Sequence, residues 1–220
     1  MAEVASIVRA DPLSDFCVRV FETMGVSPED ARITADVLVR ANLRGIDSHG
    51  VARLARYVNG LRDSVMIAQP KEKVVLETPT TVTIEAGAGL GQPVSYRAMT
   101  KAIEKAKEYG CGFATVRNSN HFGIAGYYAM MALEHDMMGM TTTNAAVLVA
   151  PTFGRDAMYG TNPIALAVPA GKERPFVMDM ATSTVPRGKL EVYHRQEKSI
   201  PLGWATDERG VPTDDPGRVL

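Results

Sequence analysis

The chain has 220 residues, of which 45% are hydrophobic and 22% charged, and its formal net charge at pH 7 is -1. This length and composition are sufficient to bury a substantial core, as one large domain or two small ones. The near-zero charge argues against an electrostatic hold on nucleic acid or on an anionic membrane, so we expect a small-molecule partner.

The cysteines and the first residues indicate the cellular compartment of the protein. Cys17 and Cys111 are far apart and outside any CxxC arrangement, so they predict neither a disulfide framework nor a cysteine zinc site. The residues from Met1 to Val4 lack the basic start and apolar run of a signal peptide, and no apolar stretch is long enough to span a bilayer. We therefore expect a cytoplasmic protein.

Three helices are predicted in the N-terminal part of the chain. The first carries apolar residues at helical spacing and ends at Gly25. The second begins after Ser27, with Pro28 at its first position and acidic residues in its first turn, and it ends at Gly45. The third is predicted to begin at Ser48. These helices form an amphipathic layer whose apolar faces must cover another part of the protein.

From Lys71 onward, strands alternate with helices. Helices are predicted over residues 94–109 and 127–135. The predicted strands are Lys73–Glu77, Thr81–Glu85, residues 112–116, residues 138–143, Ile164–Val168 and Phe176–Met180. This pattern predicts an α/β fold with an N-terminal helical layer.

The segment from Asp47 to Tyr57 is the most informative part of the sequence. A helix that begins at Ser48 would place His49, Arg53 and Tyr57 in one stripe near the positive end of a helix dipole. The opposite face would carry the apolar residues Val51, Leu54, Val58 and Leu61. Such a stripe would suit a small carboxylate. The alternative is a surface helix with a solvated polar face.

A glycine-rich turn at residues 87–91 (GAGLG) lies between a predicted strand and a predicted helix. The Rossmann fingerprint needs a third glycine where this chain has Gln92, followed by Pro93. The acidic residue expected at the end of the next strand is also absent. We interpret the segment as a structural turn into a helix.

A second candidate loop, residues 118–126 (NSNHFGIAG), follows a predicted strand and precedes a helix. His121 has the side chain whose unperturbed pKa is closest to neutrality, so it is a candidate acid/base. Asparagines beside it would fix its tautomer, and glycines would admit a ligand close to the backbone. The alternative is a structural histidine in a turn.

Three further segments carry weaker signals: residues 160–163 (GTNP), residues 179–183 (DMATS) and residues 186–189 (PRGK), whose two cations suit a phosphate or plain solvent. A metal site would have to be built from the distant side chains His49, His121 and Asp179. No HExxH motif or comparably close ligand pair supports it, so no metal is predicted.

Taken in order, these segments resemble the malate/L-lactate dehydrogenase family of the non-Rossmann type. That family includes ureidoglycolate and sulfolactate dehydrogenases and Δ1-piperideine-2-carboxylate reductases. The matching segments are residues 44–50 (RGIDSHG), 118–123 (NSNHFG), 160–163 (GTNP), 179–183 (DMATS), 188–189 (GK) and 200–205 (IPLGWA). The resemblance runs from about Ser14 to Pro216, which is nearly the whole chain.

The resemblance implies hydride transfer between NAD or NADP and a small 2-oxo/2-hydroxy acid such as malate or lactate, or a 2-imino acid. It implies an α/β fold whose mixed-sheet cofactor domain is of the non-Rossmann type, in agreement with the failed fingerprint. Residues 1–70 would form a helical substrate-binding region, and residues 71–220 a cofactor-binding α/β domain.

The resemblance also implies residue roles. In some members His121 would be the acid/base, and in others Ser48 and His49 would form the proton-donating pair; the choice stays open. Arg53 would clamp the substrate carboxylate, with Tyr57 beside it. The cofactor would be surrounded by His121, Phe122, Gly123, Ile124, Ala125, Thr161, Asp179, Met180, Ala181, Arg187 and Gly188. The hypothesis requires the imidazoles at positions 49 and 121 to converge with the guanidinium at position 53.

Family members continue well past Leu220 and include a glycine-and-lysine segment that contacts the cofactor. We therefore expect a cofactor domain truncated at its C-terminus. The alternative function is a truncated, non-catalytic remnant or assembly partner that keeps the dehydrogenase fold. Members are usually homodimers, so a homodimer is expected here.

Overall fold

The computed structural model describes residues 7–220. The prediction that Met1 to Val4 do not begin a signal peptide therefore falls outside the described residues. The chain forms two compact units, of which the first ends at Tyr127 and the second covers Tyr128–Leu220. Within residues 7–220, no helix combines the length and apolar character needed to cross a membrane. The functional division predicted at residue 70 stays a prediction.

The first two helices end just before the predicted glycines, and the second begins directly after Ser27, as the sequence indicates. Helix α1 covers Ala10–Thr23 and helix α2 covers Pro28–Leu43. The Ser27 hydroxyl caps α2 by accepting a hydrogen bond from the Asp30 amide at 3.2 Å. Gly25 follows α1 with φ of 82°, a left-handed conformation that ends a helix at little steric cost when the residue is glycine.

The third helix begins at Leu54 and not at Ser48, so the predicted start is wrong. Two 3₁₀ turns, Asp47–His49 and Val51–Arg53, precede helix α3, which covers Leu54–Arg62. Between the two turns Gly50 is extended, with φ of -85° and ψ of -152°, and this interrupts the helical backbone.

The predicted stripe of polar side chains therefore does not form. Tyr57 is fully buried in the hydrophobic core of the first unit, where it packs edge-on against Phe21, and Leu61 is buried in the same cluster. The phenol consequently lies on the apolar face of α3, with its hydroxyl as the one polar atom of the side chain.

The first unit also contains a small mixed sheet. Its strands are β1 (Lys73–Glu77), β2 (Thr81–Glu85) and β3 (Phe113–Arg117), in the order β1-β2-β3. Strand β1 is antiparallel to β2, whereas β2 is parallel to β3 because helix α4, Gly91–Tyr109, crosses between them. A core formed by Val82, Ile84, Val94 and Ala98 joins β2 to α4.

Helix α5, Ala125–Met131, contains the boundary between the units, and a 3₁₀ turn at Ala132–His135 follows it. The second unit has strands β4 (Gly139–Thr142), β5 (Val147–Val149), β6 (Tyr159–Gly160), β7 (Ile164–Val168) and β8 (Phe176–Met180), and helix α6 (Arg187–Arg195). Strands β4, β7 and β8 form an antiparallel sheet in that order, and β5 pairs with β6.

The predicted α/β class, with a helical layer and a mixed sheet of non-Rossmann type, is confirmed. Strands β5 and β6 were not predicted, because three and two residues are too few to show a period. Helix α6 was not predicted either. Residues 186–189, whose two cations suit a phosphate or plain solvent, lie at its start, and the glycine at position 188 weakened the helical pattern.

Candidate active site

A single side chain of α2 holds the two 3₁₀ turns before α3. Asn42 accepts a hydrogen bond from the Val51 amide at 2.8 Å and donates one to the Asp47 carboxylate at 2.6 Å. A Cβ on Gly50 would lie 2.2 Å from the Asn42 amide oxygen, so any larger residue there would displace Asn42 from these two hydrogen bonds. Asn42 was not identified from the sequence, where its only signal was a position shortly before a glycine-containing turn.

These turns bring together Ser48, His49 and Arg53. The Ser48 hydroxyl lies 3.0 Å from Nδ1 of His49, and Nε of Arg53 donates to the Ser48 carbonyl oxygen at 2.7 Å. The three residues form one hydrogen-bonded group, although local turns rather than a continuous helix bring them together.

His121 lies in the loop after β3, and its Nδ1 has two neighbours. The Tyr57 hydroxyl lies 2.6 Å from Nδ1, and the backbone N–H of Gly123 donates to the same nitrogen at 3.3 Å. A backbone N–H can only donate, so Nδ1 must carry the lone pair, and the neutral ring has its proton on Nε2. The Tyr57 hydroxyl then also donates to Nδ1.

The expectation that neighbouring asparagines fix this tautomer is wrong. The Asn120 amide donates to the carbonyl oxygens of Ala88 and Gly89, at 2.9 and 3.0 Å, and Asn118 donates to the Glu85 carboxylate at 2.8 Å. Both asparagines are therefore used to tie the loop to the sheet and to the glycine-rich turn.

The rings of His49 and His121 are stacked. Their centroids are 5.5 Å apart and their planes are inclined by 19°. The Tyr57 ring lies 5.9 Å from that of His121. Residues that are 72 positions apart in the chain thus meet at one place, as the dehydrogenase hypothesis requires of the two imidazoles.

Burial keeps both His121 and Tyr57 neutral. The pKa of His121 falls from 6.5 to about 3, mainly because burial disfavours its charged form, and then because His49, Arg56 and Arg53 repel a proton. Burial raises the pKa of Tyr57 far above its ordinary value, although Arg56 opposes this. At neutral pH, His121 is a neutral imidazole and Tyr57 a neutral phenol.

Arg56 was not identified from the sequence. It follows Arg53 by three residues, a spacing that places two side chains on the same side of a helix, and this was the available signal. With the two guanidinium groups near a neutral imidazole, the site carries positive potential and a hydrogen-bond donor, a combination suited to an organic anion.

The loop after His121 is tightly packed. Gly123 has φ of 84°, and a Cβ there would lie 2.6 Å from a methyl group of Val37 on α2. Gly123, Ile124 and Ala125 are buried, whereas Phe122 is partly exposed. The last three predicted cofactor residues of this unit therefore lie in a closely packed backbone segment, and their role stays a prediction.

In the second unit, four predicted cofactor residues lie at one end of the β7-β8 pair. The Thr161 carbonyl oxygen accepts hydrogen bonds from the amide and the hydroxyl of Thr182, at 2.8 and 3.1 Å. Asp179 and Met180 are exposed at the end of β8, and Ala181 follows them. Their cofactor role stays a prediction.

Arg187 and Gly188 begin helix α6. The Arg187 guanidinium contacts the Glu191 carboxylate at 3.3 Å and the Leu220 carbonyl oxygen at 3.0 Å, and Gly188 is buried. The structure therefore shows Arg187 in contacts within its own unit.

A cavity of about 970 Å³ opens elsewhere on the first unit, and it is lined by neither His49 nor His121. Arg97, at its wall, is held by the Glu72 carboxylate through two nitrogens and by Asp30 at 2.6 Å. Because its charge is matched by two carboxylates, we assign Arg97 a structural role. Among residues 7–220, no cluster of three or more His, Cys, Asp or Glu is arranged to hold a metal ion.

Comparison with known proteins gives consistent matches. A family model described as malate/L-lactate dehydrogenase matches residues 8–220. Over 203 residues the chain is 54% identical to malate dehydrogenase of Pyrococcus horikoshii, which covers 92% of this chain and 56% of the relative. Over 214 residues it is 43% identical to L-sulfolactate dehydrogenase of Methanocaldococcus jannaschii, covering 97% of this chain and 62% of the relative.

A solved structure is similar over almost the whole chain. Malate dehydrogenase from Entamoeba histolytica matches with a TM-score of 0.94 and 38% identity, covering 98% of this chain and 60% of that one. The chain thus spans less than two thirds of the length of each of these three relatives.

Proposed function

The chain belongs to the malate/L-lactate dehydrogenase family, and we propose that it acts in hydride transfer between NAD or NADP and a small 2-oxo/2-hydroxy acid or 2-imino acid. The family resemblance seen in the motifs is thereby confirmed. The observation that carries the proposal is the stacked pair of His49 and His121 beside Arg53 and Arg56. Relatives of the chain are named malate and L-sulfolactate dehydrogenases, and the acids in those names are anionic.

Reduction of a ketone needs a hydride, a proton for the developing alkoxide and a group that orients the substrate. The nicotinamide cofactor, when bound, supplies the hydride. The residues of this chain must therefore donate the proton and orient the substrate.

His121 polarises the substrate carbonyl in this proposal. Its Nε2–H donates to the carbonyl oxygen, while Nδ1 accepts from Tyr57 and Gly123. With its pKa lowered to about 3, the ring is neutral at physiological pH and acts as a hydrogen-bond donor rather than as an imidazolium acid.

His49 supplies the proton. The Ser48 hydroxyl, 3.0 Å from its Nδ1, orients the ring. The stacked geometry places this second imidazole beside His121, so one ring polarises the oxygen while the other donates. In the oxidation of a hydroxy acid the same two groups act in reverse, and His49 takes the hydroxyl proton.

Arg53 holds the substrate carboxylate, with Arg56 adding positive potential. A guanidinium has five N–H donors, so the bond from Nε to the Ser48 carbonyl is compatible with a carboxylate contact by the same side chain. That bond also fixes the orientation of the guanidinium.

The cofactor contacts follow from the family resemblance. They are proposed for residues 121–125 of the first unit and for Thr161, Asp179, Met180, Ala181, Arg187 and Gly188 of the second. The buried, glycine-containing backbone at positions 123–125 supports the first group. A homodimer is proposed on the same resemblance, and a cytoplasmic location on the cysteine pattern.

A second candidate function is a non-catalytic remnant or assembly partner that keeps the dehydrogenase fold. The observation that favours it is length, since the chain spans 56% of the Pyrococcus horikoshii relative.

Oxidation of NADH and NADPH by the purified 220-residue chain, with pyruvate, oxaloacetate and a cyclic imino acid, tests the proposal. We expect turnover of at least one substrate that is abolished in a His49→Ala/His121→Ala double variant. No turnover by this chain, alongside turnover by a version extended to the length of its relatives, would support the second candidate.

A further inference from the structure

Gln92 is a buried polar residue with no evident partner. It lies in the first turn of α4 and is 0% exposed, and neither its amide nitrogen nor its amide oxygen has a hydrogen-bond partner among residues 7–220. An unsatisfied buried amide costs free energy, and an apolar side chain of equal size would avoid that cost. Its presence therefore calls for a functional explanation.

The start of α4 lies against the active-site loop. A Cβ on Gly91 would lie 2.2 Å from the Asn120 carbonyl oxygen and 2.7 Å from that of His121. Leu90, on the other side of Gly91, is part of the same buried cluster as Tyr57. The residue that follows Gly91 is thus held close to both Tyr57 and His121.

The Gln92 amide interacts with the Tyr57 hydroxyl. Burial raises the pKa of Tyr57, and the Gln92 amide, acting as a donor toward the phenolic oxygen, lowers it. This contact does not meet the geometric criteria of an ordinary hydrogen bond in the structure.

We propose that Gln92 is a positioning residue whose amide N–H donates to the Tyr57 oxygen and so directs the Tyr57 proton to Nδ1 of His121. A phenol has one proton to donate. If its oxygen accepts from Gln92, that proton is left for Nδ1, and the imidazole keeps its own proton on Nε2. Gln92 is fully buried, so it acts through Tyr57 and not on a ligand.

The catalytic consequence rests on the proposed function, because the Nε2–H tautomer is the one that would donate to a substrate oxygen. The tautomer itself does not depend on it. It is measured by the ¹⁵N chemical shifts of the His121 ring in the labelled 220-residue chain, without cofactor or substrate.

Gln92→Met removes the polar atoms at nearly unchanged volume. We expect an increased share of the Nδ1–H tautomer, since the Tyr57 oxygen becomes available as an acceptor. Gln92→Glu is the second variant. Its carboxylate accepts a hydrogen bond from the Tyr57 hydroxyl and leaves the phenolic oxygen as an acceptor toward Nδ1, so the share of the Nδ1–H tautomer should rise further.

Thr34→Val is the matched control, because it removes another buried polar group, which is bonded to the Asp30 carbonyl oxygen. We expect it to leave the His121 shifts unchanged. Wild-type ring shifts in either folded Gln92 variant would overturn the proposal, even if the chain turns over substrate. Conversely, a shifted tautomer in an inactive chain would support Gln92 and count against the proposed function alone.

Discussion

The Tyr57 hydroxyl lies 2.6 Å from Nδ1 of His121, and this contact joins the core of the helical layer to the loop after β3. The phenol is fully buried, so it acts as a fixed support for the imidazole. Packing in the hydrophobic core alone would favour phenylalanine at position 57, so the phenolic hydroxyl is there for its contact with His121.

Tyr57→Phe tests this support. The ring volume is kept, so we expect the free energy of unfolding to fall by only about 1 kcal/mol, the usual contribution of one hydrogen bond. Turnover should fall by about tenfold or more, because His121 loses the partner that orients it. Chemical denaturation and steady-state kinetics measure the two effects. A large stability loss with unchanged turnover would show that the hydroxyl serves the fold alone.

The two histidines are distinguished by kinetics. Replacing His121 by alanine should lower kcat by about a hundredfold or more, and His49→Ala should do the same, because each removes one of two groups that act on the same oxygen. The pH profile separates the roles. If His49 supplies the proton, its ionisation should vanish from the kcat profile in His49→Ala and persist in His121→Ala. The reverse pattern would make His121 the proton donor.

Arg53→Lys tests the carboxylate clamp. An ammonium group cannot reproduce the two parallel N–H bonds of a guanidinium, so we expect KM to rise by about 10- to 100-fold with a smaller effect on kcat. Arg62→Lys, at the exposed C-terminal end of α3, is the matched control and should leave both constants unchanged. An unaltered KM in Arg53→Lys would remove Arg53 from the clamp.

The pH dependence of stability reports the lowered pKa of His121. Between pH 6.5 and about 3 the unfolded chain binds a proton at this position and the native chain does not. The free energy of unfolding therefore falls as the pH decreases through this window, by at most about 1.4 kcal/mol per pH unit from this group.

His121→Gln removes that contribution. Urea denaturation of both proteins at several pH values between 7 and 4 should show the wild type losing stability relative to the variant as the pH falls. If the free energy of unfolding changed with pH in parallel for the two proteins, the pKa of His121 would not be lowered in the native state.

Local sequence signals predicted much of the fold but only part of the candidate site. Strands β1, β2, β7 and β8 have the bounds predicted, since apolar alternation and turn residues defined them. The prediction of a helix that begins at Ser48 failed because Gly50 adopts an extended conformation. That conformation accompanies the hydrogen bond from the Val51 amide to Asn42, which lies nine residues earlier in the chain.

The convergence of His49 and His121 was expected from the family resemblance, not from any local pattern. Gln92 and Arg56 were missed because their relevance depends on tertiary neighbours. Gln92 stood out only as the residue that breaks a glycine fingerprint. The feature that singles out Gln92 is a buried amide without a hydrogen-bond partner, and this feature is visible only in the folded chain.

Gly123→Ala tests how closely the His121 loop fits against α2. The added Cβ would meet a Val37 methyl group at 2.6 Å, and φ of 84° is strained for any residue with a side chain. Gly110→Ala is the matched control, because Gly110 has nearly the same φ, 82°, but nothing within 4 Å of its Cβ position.

We expect Gly110→Ala to lose about 1 to 2 kcal/mol of unfolding free energy from backbone strain alone, and Gly123→Ala to lose about 1 to 3 kcal/mol more from the clash. Because Gly123 also donates its N–H to His121, the shift of the loop should reduce turnover in Gly123→Ala and not in Gly110→Ala. Equal losses of stability in the two variants, measured by urea denaturation, would show that the loop can move away from α2 without cost. The fixed position of His121 would then have to come from Tyr57 alone.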